Sequence, residues 1–303
     1  MSEALIIEPA AVAEQPAPAP TDPAAPRSRG GDLLRFLLRR PGLVVSLLVV
    51  AALLIAAFWP ELYTDRDPLR STPAEILRPP SSRHWFGTDE LGRDLFARVV
   101  HGAALSLKAT LVAVAVAFAV GGGIGLGAGF AGGRVEGALM RLVDVLLAVP
   151  GLFLSLTVVT ALGRGTLQVA LAVGLAGVAG FARVMRAEVL RVRASAYVEA
   201  ARVCGARWYT VLLRHVLPNA AGPVLSLATL DLGTAVLSVS ALSFLGYGAT
   251  PPAPEWGTLI ADGRDYLADA WWVSTLAGLT VAALVLAVNR ISRALDGEWS
   301  GRR

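Results

Sequence analysis

Few residues in this chain are equipped for covalent or acid–base chemistry, and their spacing keeps them apart. The three histidines, His84, His101 and His215, fall in separate segments and form no H-E-x-x-H pattern of the kind that holds a catalytic zinc. The single cysteine, Cys204, excludes an intrachain disulfide and any cysteine-based metal cluster. Phosphate chemistry fails as well. A P-loop needs a lysine directly after its second glycine, and the only lysine, Lys108, follows Leu107. No catalytic residue, no metal site and no ATP site is therefore expected in this chain. Two carboxylates in apolar surroundings remain. Asp231 lies deep in an apolar run, where ionisation is costly and such groups face a bundle interior or a wet cavity. It either lines a pathway or meets a structural partner, and our working hypothesis is that it lines a pore. Asp144 stands one turn from Arg141 and reads as half of an interfacial ion pair.

The elements that carry these residues are dictated by composition. Hydrophobic residues make up 55% of the chain and charged residues 17%, against about a quarter charged in soluble proteins. Apolar runs of about 20 residues read as membrane-spanning helices. Six occur: Leu43–Trp59, Leu105–Phe130, Leu139–Leu162, Thr166–Ala182, Pro223–Gly246 and Trp271–Val288. They are too uniformly apolar for barrel strands, which alternate, so an all-α bundle is expected. Residues 1–31, rich in Ala and Pro, cannot bury a core and are expected to be a disordered tail. No basic n-region precedes a short apolar stretch, so the first run is expected to be an uncleaved anchor.

Arginine sets the expected orientation through the positive-inside rule. With the N-terminus in the cytoplasm, Arg134, Arg141 and the dense cluster Arg183, Arg186, Arg191, Arg193, Arg202, Arg207 and Arg214 all fall inside, as do Arg290, Arg293, Arg302 and Arg303. The opposite segments carry acids such as Glu61, Asp65, Asp67, Glu255, Asp262 and Asp265. Between the first two runs, residues 60–102 contain Gly87-Thr88-Asp89 and Gly92-Arg93-Asp94. The glycines suit tight turns and the charges suit a compact polar knot, so a structural cap is expected rather than a binding site. Gly121, Gly125 and Gly129 recur at helical spacing in the second run, which in lipid signals close helix packing with freedom to bend.

The most informative stretch follows the fourth run: Glu199-Ala200-Ala201-Arg202, then Gly205 and Leu217-Pro218. Ser195 can cap a helix whose first turn carries Glu199, an acid suited to the positive dipole end. Ala200 and Ala201 are strong helix formers with little bulk, so a partner can approach the backbone. Gly205 can stop the helix at positive φ. A second helix, about 207–216, is expected to be halted by Pro218.

These residues resemble the EAA loop of bacterial ABC-importer permeases. From about Leu33 onward the chain is similar to the inner-membrane permeases of dipeptide, oligopeptide and nickel importers. Supporting elements are Asp144 with Pro150, Tyr197-Val198 before Glu199, Arg214-His215, Leu217-Pro218-Asn219, Leu242-Ser243-Phe244-Leu245-Gly246 and Pro254-Glu255-Trp256-Gly257. One departure stands out: relatives often carry Glu-Ala before the Leu-Ser-Phe-Leu-Gly element, where this chain has Ser240-Ala241.

The resemblance implies a six-span, type I ABC-importer (MetI-like) transmembrane fold in a bacterial cytoplasmic membrane, with both termini cytoplasmic. Residues 32–102 would be the first helix and a long extracytoplasmic segment. Residues 103–293 would be the core, with the loop at 191–222, and 294–303 a tail. It further implies that Glu199, Ala200, Ala201, Arg202, Gly205, His215, Leu217 and Pro218 form the coupling loop that a separate ATPase grips. His215 fits the peptide-type branch and takes no catalytic role. The implied partners are a second homologous permease, two ATPase subunits holding ATP and Mg, an extracytoplasmic substrate-binding protein and lipid; nothing points to nucleic acid. The rival, an ion-coupled secondary transporter, calls for paired broken helices and midplane charges in both halves. Only Asp231 answers to that.

Overall fold

The computed structural model describes residues 40–300, with side chains as far as Ala294. The tail expected at 1–31 lies outside the described residues. Helices dominate, and among the described residues the one β element is an isolated bridge between Thr88 and Asp94. The helices are α1 (Pro41–Phe58), α2 (Leu95–Ala131), α3 (Gly133–Ala148), α4 (Gly151–Leu162), α5 (Thr166–Arg193), α6 (Ala196–Val203), α7 (Trp208–Tyr247), α8 (Trp256–Asp262) and α9 (Trp272–Ser300). Five of them, α1, α2, α5, α7 and α9, are long and apolar enough to cross a membrane. Their outward faces carry Leu48, Leu111, Leu225, Leu237, Leu279 and Leu286, all well exposed, as lipid contact requires.

The expected third span is the element that differs most. Its residues form α3 and α4, bent by 96° at a short break. Pro150 sits in that break with an extended backbone, because a proline cannot supply the hydrogen bond that would carry a helix through it. The count of six holds if the bent pair is taken as one span.

Two other expectations change at helix ends. The second span starts at Leu95, ten residues before the expected Leu105, because Asp94 caps it by accepting a bond from Ala97 N at 2.9 Å. Pro218 does not halt a helix. The helix runs through Pro218 from Trp208 as far as Leu245, before Gly246 takes φ 89°. A π-helical turn, Val211–Val216, immediately precedes that proline. The wider turn makes room where a proline ring would meet the carbonyl four residues back.

The core is built on close approach. α5 packs most extensively against the second half of α2, where Gly121, Gly125 and Gly129 face it. A methyl group at Gly125 would stand 2.8 Å from Met185 Cβ, and one at Gly129 would stand 2.9 Å from Val189 Cβ. The small-residue reading of these glycines holds, and a π-turn at Ala117–Gly121 lies within the same helix. α1, α2, α8 and α9 share a second apolar cluster around Trp256 and Trp272.

Candidate functional site

The elbow between α5 and α7 begins at a buried anchor. Val198 of α6 is fully buried, in one cluster with Val189, Val192, Val211 and Val216. Ser195 occupies the cap position but does not cap. Its hydroxyl instead donates to Val192 O at 2.5 Å, closing the end of α5. The far end of α6 closes as a Schellman motif: Gly205 N donates to Arg202 O at 2.9 Å and Ala206 N to Ala201 O at 3.0 Å. Gly205 takes φ 81°, as its type suggested. That turn sends the chain into α7.

Glu199, Ala200, Arg202 and Gly205 are exposed on this elbow and Ala201 is half-buried. His215, Leu217 and Pro218 lie apart from them along the stem of α7, His215 and Leu217 half-buried and Pro218 exposed. His215 takes part through its main chain, accepting from Asn219 Nδ2 at 2.7 Å. Sequence reasoning missed a group of apolar side chains beside the motif. Val203 is 83% exposed, Trp208 67% and Leu213 59%. They stand bare at the end of α6 and the start of α7, and the aromatic directly after the arginine-rich turn was the available signal.

Arg193, at the last residue of α5, was also missed except as one charge among many. Its Nη1 donates to Gly129 O at 2.8 Å and to Phe130 O at 2.7 Å, the last carbonyls of α2. The guanidinium lies 5.8 Å from the Phe130 ring centroid, and Phe130 meets Trp208 in a tilted contact at 6.4 Å. One side chain thus ties the ends of α2 and α5 to the start of α7. Nearby, Asp144 pairs with Arg183 at 2.7 Å rather than with the expected Arg141. α3 packs against α5, and Glu136 likewise meets Arg186.

At the opposite end, residues 60–94 form the polar knot expected of them. Asp89 is buried and accepts from Arg93 Nε at 2.6 Å, with Arg98 Nε 3.4 Å away. Asp94 also receives His84 Nδ1 at 2.8 Å and Arg66 Nη1 at 3.0 Å. Trp272 Nε1 donates to Thr88 O at 3.2 Å, pinning the knot to α9. Trp256 donates through Nε1 to Val99 O at 2.9 Å, and buried Glu255 accepts from Ser243 Oγ at 2.8 Å. Burial, then the neighbouring Asp89 charge, raises the Glu90 carboxyl above its ordinary range; burial does the same to Asp262. Ser240 is buried beneath Gly257.

Asp231 lies half-buried on α7 in a pocket of about 150 Å³ between α4, α5 and α7, shared with Ser155, Thr234 and Ser238. Thr234 Oγ1 donates to Asp231 Oδ1 at 2.7 Å. Among the described residues no cation lies within ion-pair distance of it, and no cluster could hold a metal ion.

Residues 121–300 match the family described as "Binding-protein-dependent transport system inner membrane component". The chain is 40% identical over 251 residues to a "Di/tripeptide transport system permease protein" of Pseudomonas aeruginosa, covering 82% of each chain. It is 35% identical over 263 residues to a "Probable D,D-dipeptide transport system permease protein" of Escherichia coli, covering 87% of this chain and 88% of that one. A "Glutathione transport system permease protein" of Escherichia coli is 40% identical over 256 residues, covering 84% of this chain and 82% of the relative. Among solved structures, the inward-facing MetNI methionine ABC transporter aligns at TM-score 0.51 and 20% identity, over 65% of this chain and 95% of that one, a likeness of fold. The chain belongs to the binding-protein-dependent transport system inner membrane components and has the all-α transmembrane fold of ABC-importer permeases.

Proposed function

We propose that this permease forms half of the pathway of an ATP-driven importer of peptides or a similar small solute, beside a second, homologous permease. Two separate ATPase subunits bind ATP and Mg and grip the elbow at Glu199, Ala200, Ala201, Arg202 and Gly205, with His215, Leu217 and Pro218 forming its stem. An extracytoplasmic binding protein delivers cargo to the end capped by residues 60–94. Both termini lie in the cytoplasm, which keeps the arginine-rich elbow on the ATP side. Closure of the ATPases draws the elbows together and reorients the spans. Such an equilibrium shifts only as far as ATP's differential affinity for the two states allows. The peptide cargo is supported by the names of the relatives, and Asp231 is the residue on this chain that best suits a pathway wall.

The observation that carries the reading is the elbow itself: an exposed motif held on a buried valine, with Val203 and Trp208 bare beside it. In proteoliposomes holding the full assembly, Glu199→Arg and Gly205→Pro are expected to abolish ATP-driven uptake while membrane insertion stays intact. Unimpaired uptake in both variants removes the coupling assignment. Uptake by the wild type that proceeds without ATP contradicts the ATP-driven reading.

A further inference from the structure

The Asp231 pocket has a chemical polarity that its residue types alone do not reveal. Its three hydroxyls have each committed their hydrogen. Thr234 donates to Asp231 itself, Ser238 Oγ to Thr234 O at 2.9 Å, and Ser155 Oγ to Leu152 O at 2.9 Å. Its other lining residues are Gly, Ala, Val and Leu, with no side-chain donor. Its side chains therefore offer mainly acceptors, above all the carboxylate oxygen Oδ2, which has no hydrogen-bond partner among the described residues, while the donors in the lining are the main-chain N–H groups of Gly151 and Leu152 at the uncapped start of α4. Gly177 keeps this oxygen clear. A methyl group there would meet Ala117 Cβ at 3.0 Å and come within 3.8 Å of Oδ2.

On the permease reading above, we infer that this pocket is a transit site for the cationic ammonium group of the cargo. An ammonium carries three donors and no acceptor, which suits a carboxylate flanked by hydroxyl oxygens. An anionic or acceptor-only group would meet repulsion there in a low-dielectric setting. The volume of about 150 Å³ accommodates such a head with a short carbon stem. The bulk of the cargo would stay in the open pathway while its amine is held against α7. Gating by the bent α3–α4 pair is then within reach, since Gly151 and Leu152 at the start of α4 line the same cavity.

A small inorganic cation shares this chemistry, so the test separates the two. The intact transporter in proteoliposomes is supplied with saturating binding protein loaded with a dipeptide bearing a free amine, in sodium, potassium or choline salts. Asp231→Asn is expected to lower maximal uptake about tenfold or more, as loss of a charge-assisted hydrogen bond does. The binding-protein concentration giving half-maximal uptake stays unchanged. Asp231→Glu keeps the charge and recovers much of the rate, and wild-type uptake is equal in all three salts. Wild-type uptake by the Asn variant overturns the site. Equal losses in the Asn and Glu variants mark a packing role and overturn it too. Dependence on sodium or potassium reassigns the pocket to an inorganic cation and overturns the ammonium assignment. Absence of ATP-driven uptake by the wild-type assembly strikes the permease reading instead, and this site with it.

Discussion

Glu90 shows how one side chain can work against the fold that holds it. Its Oε1 accepts from Arg93 Nη2 at 2.9 Å, while its Oε2 is buried with no hydrogen-bond partner. Asp89 and Asp262 face it with like charge and Arg93 with opposite charge, and burial pushes its carboxyl upward from 4.5. A carboxyl whose native pKa is raised binds more protons folded than unfolded. Its contribution to stability is thus present at low pH and lost as pH rises from 4.5 through the raised value. Glu90→Gln removes that penalty and keeps an acceptor for Arg93. The difference in thermal midpoint, variant minus wild type, is expected to be more positive at about pH 8 than at about pH 5. A difference that stays flat with pH, or runs the other way, contradicts the assignment. Residue types in the turn Gly87–Asp94 were enough to anticipate the knot. They could not reveal that Glu90 is half-buried in it beside Leu245, Gly246 and Asp262, residues distant in sequence.

At the scale of elements, α2 and α5 behave as a glycine-packed pair whose ends are clasped by Arg193. Gly121, Gly125 and Gly129 bring the helix backbones into contact. Arg193 then ties this pair to Trp208 at the base of α7. In the proposed coupling, a pull on the elbow reaches the spans through this clasp. Arg193→Ala is expected to reduce uptake about tenfold or more, on the scale of two lost charge-assisted bonds, while ATP hydrolysis by the assembled complex persists. Lysine, a point charge without the planar fork, restores only part of it. The decisive number is ATP hydrolysed per solute moved. If hydrolysis and uptake fall in proportion, Arg193 is a structural support and not a coupling residue. Glycine spacing announced the α2–α5 packing, but nothing in the order of residues joined Arg193 to carbonyls more than sixty positions away.

For the whole molecule, orientation is the property on which the proposed function turns. The chain offers a native probe, because its single cysteine, Cys204, is exposed on the elbow. A membrane-impermeant maleimide is expected to leave Cys204 unlabelled in intact spheroplasts and to label it once the membrane is permeabilised. Bound ATPase subunits are expected to slow the labelling. Labelling in intact spheroplasts puts the elbow outside and reverses the proposed topology. The surface agrees with a lipid setting: exposed leucines gird α2, α7 and α9, while the charges gather at the two ends.

Composition and apolar run length alone determined the helical membrane class, because lipid permits few ways to satisfy a backbone. The local motif around Glu199 and Gly205 determined the elbow, because a Schellman turn needs only neighbouring residues and a glycine able to take positive φ. Tertiary structure decided the rest. The pairing of Asp144 with Arg183, the clasp of Arg193 on the end of α2 and the pocket at Asp231 all depend on which helices lie side by side. A single chain's local sequence carries no record of that neighbourhood.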